Sequence, residues 1–296
     1  MLTVQEAFKK FRSRLELTER NQKDASRRQK DIREVMNTAF SIDRDFLTGS
    51  YARWTKVKPL KDVDIFCVLS ENEKHYRDKH PSVLLADVEK VLVNKYGQSN
   101  VSCQRRSVLV SFGIQEVNGD TDGLVMSFDV VPAFVKGDHY EIPDTSTSSG
   151  WTATDPEIHA RKAVESQKAY SGEWKGLVRM MKSWNRYNNK PIKPSFLIEV
   201  IALEALNPPF GGTYSREMQA FFATLATRIN ENWPDPAGLG PDVSDSMTQE
   251  MRRGAREALL TAERQAANAI KFERSNQNGA ALRAWRDLLG PRFPLS

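Results

Sequence analysis

The sequence predicts an α+β protein: a first lobe that mixes helices with an antiparallel or mixed sheet, followed by a lobe made only of helices. Three observations carry that expectation. Short, β-rich apolar runs of strand length are confined to residues 45–135, and apolar residues at helical spacing dominate after residue 156. A Ser/Thr-rich connection, residues 141–155 (EIPDTSTSSGWTATD), separates the two patterns and marks the best domain boundary. A long N-terminal helical segment precedes both, which divides the chain into 1–40, 41–155 and 156–296, with a cleft expected between the two lobes.

Each element has a local reason. Residues 3–37 read as one long helix or two close ones. Thr3 with Glu6 is a capping-box signature, and Val4, Phe8, Phe11 and Leu15 form a helical stripe. Phe46-Leu47-Thr48 is a short apolar run ended by Gly49-Ser50. Val63–Leu69 (VDIFCVL) is a strand, residues 82–96 return to helical spacing, and Val101–Cys103, Val108–Ile114 and Leu124–Val135 read as further strands. Asn118-Gly119-Asp120 supplies a turn between the last two. Asp155-Pro156 starts a helix, with Pro at its first position. Helices follow around 177–184, 196–206 and 218–229, then a Pro/Gly-rich loop at 232–242, a long helix over 246–274 and a short one over 279–289.

Composition excludes several classes. Of 296 residues, 40% are apolar and 27% charged, ordinary globular values that argue against disorder. No uncharged apolar run approaches the ~20 residues that cross a bilayer, and the longest, Gly123–Val135, is interrupted by Asp129. The N-terminus lacks the apolar core of a secretory signal. Two cysteines, Cys67 and Cys103, make neither a disulfide framework nor a zinc site, so the expectation is a protein of the reducing cytosol with no membrane partner. Net charge is +5, and residues 1–40 hold ten Lys/Arg against six acids, an excess of four. A basic helix attracts polyanions, but charge runs mostly form solvated faces, so direct nucleic-acid binding is not the favoured reading.

Three features of the first lobe carry chemistry. Gly49-Ser50 allows a tight turn and close backbone approach to an anion; alone it is also an ordinary turn. Asp62-Val63-Asp64 opens a strand, so both carboxylates point to one face and repel unless a cation lies between them. Hard oxygen-seeking ions, Mg²⁺ or Mn²⁺, suit such a pair, while an isolated D-x-D is as readily a solvent-facing strand start. Asp129 is a lone carboxylate in an apolar strand; it either points out of the sheet or meets a cation or base. Together the three suit a triphosphate and two metal ions, because ions about 3.5–4 Å apart stabilise both the attacking and the leaving oxygen of an in-line displacement.

The segment GSYARWTKVKPLKDVDIFCVL resembles the signature of DNA polymerase β-type nucleotidyltransferases: Gly-Ser, a short helix, then Asp-x-Asp on a strand. Gly-Ser-x-x-Arg-x-Thr (Gly49, Ser50, Arg53, Thr55) is more specific. It is similar to the bacterial cyclic-oligonucleotide synthases (CD-NTases) of anti-phage signalling, relatives of animal cyclic GMP–AMP synthase and oligoadenylate synthases. The likeness continues through Gly150-Trp151, Asp155-Pro156 and His159, the helices at 177–185 and 193–199, and the closing segment 284–294.

The resemblance implies a polymerase β-like catalytic lobe at 41–155, a helical nucleotide-binding lobe at 156–296 and a spine helix at 1–40. It implies that Asp62, Asp64 and Asp129 bind two Mg²⁺ (or Mn²⁺) ions, with Asp129 also orienting or deprotonating the attacking ribose hydroxyl. Gly49 and Ser50 would hold the β- and γ-phosphates, and Lys182 and Ser195 would reach the triphosphate. Phe196 would stack on the donor base, where relatives often carry a Tyr. The implied substrates are nucleoside triphosphates, ATP among them, and the product a diffusible cyclic di- or trinucleotide read by a downstream effector. A linear nucleotidyltransferase and a non-catalytic nucleotide or RNA sensor are the alternatives. Read without the resemblance, Lys182 is a solvated helix residue, Ser195 an N-cap, Arg179 and His159 structural, and Trp54, Trp151 and Trp184 core residues. The C-terminal Phe-Pro-Leu-Ser, without a terminal glycine, gives no support to conjugation through the tail.

Overall fold

The computed structural model describes residues 2–113 and 127–296. The chain forms two compact units, Leu17–Ala160 and Met1–Glu16 with Arg161–Ser296. The N-terminal segment is two helices, α1 (Val4–Leu15) and α2 (Glu19–Asn37). The break has a local cause. Thr18 and Asn21 form a second capping box, so the chain turns extended at Glu16 and starts a new helix. The expected box at Thr3 and Glu6 is present as well.

The described residues of the Leu17–Ala160 unit build a seven-stranded mixed sheet. Its strands are β1 (Ile42–Thr48), β2 (Asp62–Leu69), β3 (Val101–Cys103), β4 (Val108–Ser111), β5 (Ser127–Lys136), β6 (His139–Pro143) and β7 (Trp151–Thr154). The order is β1-β2-β5-β4-β3, with β6 joined to β5 and β7 to β6. Among the described residues only β2 and β5 pair in parallel; the other pairs are antiparallel. Alternation along the strands divides the two faces. Val63, Ile65, Cys67, Phe128 and Val130 point into a core shared with α2 and with α4 (Ser82–Tyr96). Phe66, Val68 and Ala133 point the other way and pack with Tyr140, Ile142 and Phe46.

The Ser/Thr-rich connection at 141–155 contains structure that periodicity did not signal. The end of β6 and all of β7 form a hairpin, Tyr140 opposite Thr154 and Pro143 opposite Trp151. The four-residue β7 (WTAT) has little apolar patterning of its own, whereas the short β6 buries Tyr140 and Ile142. The turn of the hairpin is fixed by polar groups: the buried Asp144 carboxylate there accepts from Arg105, Arg106 and Ser146 at 2.6–3.1 Å. Charge-assisted bonds of that kind hold Asp144 well below the usual carboxylate range. The expected Asn118-Gly119-Asp120 turn and the residues Ile114 and Leu124–Met126 lie outside the described residues. A short helix, α3 (Gly49–Ala52), follows β1.

The other unit is helical throughout its described length. After α5 (Pro156–Ala169) come α6 (Trp174–Tyr187), α7 (Phe196–Ala205), α8 (Tyr214–Arg228), α9 (Gln249–Arg274) and α10 (Asn278–Leu289). The Asp155 carboxylate caps α5 by accepting from the amides of Glu157 and Ile158. The stripe of α1 is buried here. Phe8 packs edge-on against Trp285 and Phe293 at centroid distances of 4.8 and 5.1 Å. The closing segment therefore forms part of this core. Much of the N-terminal positive charge is used locally. Arg12 pairs with Glu16 and Glu173, Arg27 and Arg28 with Asp24, and Arg33 with Asp45. No helix among the described residues is long and apolar enough to cross a membrane.

Candidate active site

The β2–β5 register assembles the acidic cluster. Asp64 stands directly opposite Asp129, and Asp62 opposite Ser127, across a parallel pair. Partners in register share a face, and Asp62 and Asp64 share one by alternation. All three carboxylates therefore lie on the face opposite α2 and α4, at the starting ends of two strands about 4.8 Å apart. The main chain at this end is tied by Ser127, whose amide and hydroxyl both donate to the Lys61 carbonyl at 2.9 and 3.0 Å.

Burial, and after it the crowding of like charge, shows in the proton affinities. Burial pushes the Asp129 carboxyl up to about 6, and the Asp64 charge adds to the rise. The Ser107 hydroxyl, donating to Asp129 Oδ1 at 3.1 Å, opposes it. Asp64 is also raised, first by burial and then by Asp62, against the positive charges of Lys56 and Arg53. Asp62 is half-exposed and accepts an ion pair from Lys56 Nζ at 2.5 Å.

The Gly-Ser turn is built over this cluster. Thr48 pairs with Asp64 in the β1–β2 register, so the next residue arrives above the carboxylate. Gly49 has φ +64°, and a Cβ placed there would lie 1.7 Å from Asp64 Oδ2. Only glycine meets both demands. The rest of the motif holds the turn: the amides of Thr55 and Lys56 both donate to the Ser50 carbonyl at 3.0 Å, and the Thr55 hydroxyl reaches it at 3.4 Å. Arg53 and Thr55 are buried. Trp54, expected in the core, is instead 51% exposed, on a left-handed backbone with φ 59° that aims its side chain outward.

The donor set suits a hard divalent cation, being three carboxylates with no softer ligand, and the missing side chain of Gly49 is what lets the Asp64 carboxylate sit against the turn. As the side chains stand, Asp62 is engaged by Lys56, and no three His, Cys, Asp or Glu among the described residues converge tightly enough to hold a metal.

The remaining expected site residues belong to the helical unit. Lys182 on α6 is buried and paired with Glu199 on α7 at 2.5 Å. Ser195 occupies the N-cap position of α7 but is exposed and caps no amide with its side chain. Phe196, the first residue of α7, is partly exposed. Arg179 pairs with Glu16 at 2.6 Å, the structural role expected of it. Sequence reasoning passed over Lys56 and Ser107. Lys56 is one of four lysines between residues 56 and 74 with nothing to distinguish it, and Ser107 meets Asp129 only through the β4–β5 pairing.

Comparison with known proteins agrees with this architecture. Residues 2–166 match the Second Messenger Oligonucleotide or Dinucleotide Synthetase domain. The chain is 27% identical over 323 aligned positions to a cyclic AMP-AMP-AMP synthase of Acinetobacter sp. (strain ATCC 27244 / 9458), covering 100% of this chain and 87% of that protein. It is 28% identical to a probable cyclic nucleotide synthase of Bacillus cereus (strain VD146), covering 83% and 81%. Among solved structures, the Bradyrhizobium diazoefficiens CD-NTase CdnG in complex with GTP superposes with a TM-score of 0.74 at 14% identity, covering 97% of this chain and 95% of that one. The fold is thus that of the polymerase β-like nucleotidyltransferases. With more than half its length matched by the family model, the chain belongs to the second messenger oligonucleotide or dinucleotide synthetases, and it is an enzyme of the CD-NTase type.

Two outcomes follow from the geometry. Gly49→Ala is expected to cost more than the about 1–2 kcal/mol of left-handed backbone strain, because the added Cβ also collides with Asp64 Oδ2. In an Asp64→Ala background the contact with Oδ2 is gone and only the about 1–2 kcal/mol of backbone strain remains. Equal costs in both backgrounds, measured by chemical denaturation, would contradict the contact.

The second concerns pH. Asp129 binds its proton more tightly in the folded protein, about 6 against an ordinary 3.8, so its contribution to stability is complete below about pH 4 and lost as pH rises through 6. In EDTA, thermal melts of Asp129→Asn and wild type should therefore diverge in the variant's favour between pH 4 and 6. A difference independent of pH would refute the raised affinity.

Proposed function

We propose that this enzyme joins nucleoside triphosphates, ATP among them, through phosphodiester bonds and closes a cyclic di- or trinucleotide. Each bond releases pyrophosphate. The product is a diffusible second messenger for a separate effector in bacterial anti-phage (CBASS) signalling. The observation that carries this reading is the in-register pairing of Asp64 with Asp129, with Asp62 on the same face and Gly49 bare above it. Family membership and the relatives' names as cyclic nucleotide and cyclic AMP-AMP-AMP synthases support it.

Asp62, Asp64 and Asp129 would hold two divalent cations, Mg²⁺ or Mn²⁺. Bound there, such ions neutralise the triphosphate and stabilise the attacking and leaving oxygens at the α-phosphorus. Gly49 and Ser50 seat the β- and γ-phosphates, the glycine by allowing close main-chain approach and the serine through its hydroxyl. Asp129 orients the attacking ribose hydroxyl, and its raised proton affinity suits it to take that proton. In the helical unit, Ser195 and Phe196 are the candidate triphosphate and base contacts, and Lys182 joins them only on leaving Glu199. Ring closure needs no second chemistry: the linear intermediate rebinds with its own 5′ triphosphate as donor.

Purified protein incubated with labelled nucleotides and Mg²⁺ or Mn²⁺ should yield a phosphatase-resistant product. Asp62→Ala/Asp64→Ala should lower its formation at least about 100-fold while the thermal unfolding transition persists. A phosphatase-sensitive product would indicate a linear transferase, and full activity in the double variant would refute the metal assignment.

A further inference from the structure

Lys56 stands among the carboxylates without a role in the reaction described above. Its ammonium contacts Asp62 at 2.5 Å, and its charge also acts on Asp64 and Asp129. The side chain is only 9% exposed. Its main chain is fixed by the Gly-Ser turn, through the 3.0 Å bond from the Lys56 amide to the Ser50 carbonyl. A lysine seldom gives up water to this degree without compensation, and here the contact with Asp62 and the charges of Asp64 and Asp129 on the same sheet face compensate it. The ammonium thus holds together like charges that would otherwise repel, which is the electrostatic task of a cation at that face.

We propose that Lys56 is an internal counter-ion of the acidic face, a positioning residue whose ammonium occupies the charge position of a divalent ion and releases Asp62 when that ion binds. This rests on the reading of Asp62, Asp64 and Asp129 as cation ligands. The site would therefore be held in order before loading, with cation binding an exchange of one positive charge for a larger one. Because Lys56 is tied to the turn that carries Gly49 and Ser50, the exchange would couple loading of the carboxylates to the segment expected to seat phosphate.

The test reads binding rather than turnover. Mn²⁺ affinity is measured by electron paramagnetic resonance of free Mn²⁺ for wild type, Lys56→Met, Lys56→Arg and Asp64→Asn/Asp129→Asn. Removing the competing positive charge should tighten binding roughly tenfold in Lys56→Met, while Lys56→Arg stays near wild type and the double Asn variant loses binding. Unchanged or weaker affinity in Lys56→Met, with binding still lost in the double Asn variant, overturns the counter-ion role and leaves the metal site standing. Absence of Mn²⁺ binding by the wild type overturns both.

Should Lys56→Met fail to fold, the wild type supplies the second measurement. Lysine acetylation by a small reagent, mapped by mass spectrometry, should find Lys56 protected in EDTA and increasingly labelled as Mg²⁺ is added. Labelling that does not change while Mn²⁺ binding is demonstrated overturns the proposal.

Discussion

Parallel pairing of β2 with β5 sets Asp64 beside Asp129 in adjacent strands, and alternation adds Asp62 to the same face. Carboxylates so placed repel one another, and the protein relieves the strain in several ways at once. Asp64 and Asp129 bind protons more tightly than usual, Ser107 donates to Asp129, and Lys56 pairs with Asp62. An arrangement with this much unfavourable charge suits a site that works with cations, as proposed for this face.

The surrounding structure holds that cluster still. The apolar face of the sheet packs on α2 and α4, so β2 and β5 cannot slip by one residue without turning Val63 and Ile65 out and the acids in. β1 delivers Gly49 over Asp64 through the Thr48–Asp64 pairing, and Thr55 and Lys56 fasten the turn to the Ser50 carbonyl. The motif Gly-Ser-x-x-Arg-x-Thr therefore has a physical meaning within the fold itself: its glycine makes room for a carboxylate, and its threonine closes the loop that carries it.

Much of this was legible in the chain. Helices with a clear apolar period emerged close to their expected limits, residues 82–96 without displacement, and Asp155-Pro156 began α5 as expected. The β2 strand and its Asp-x-Asp face were readable because strand alternation is a local property. What could not be read depended on partners distant in sequence. The turn of the β6–β7 hairpin is held by Arg105 and Arg106 on Asp144, nearly forty positions away, and β6 is too short for its buried Tyr140 and Ile142 to stand out as a period. Lys182 looked like a surface helix residue or a phosphate ligand, and its buried partner Glu199 lies on another helix. Trp54 was expected inside because tryptophans are more often core residues than stacking platforms, whereas its left-handed backbone and 51% exposure have no signature in the residue type.

The account stands or falls on whether the acidic face is a cation site in the working enzyme. Anomalous diffraction from crystals grown with Mn²⁺ and a non-hydrolysable nucleoside triphosphate addresses it directly. It should show manganese within coordinating distance of Asp62, Asp64 and Asp129, with the phosphates against Gly49 and Ser50. Manganese bound elsewhere, or these three carboxylates directed away from the nucleotide, would contradict it.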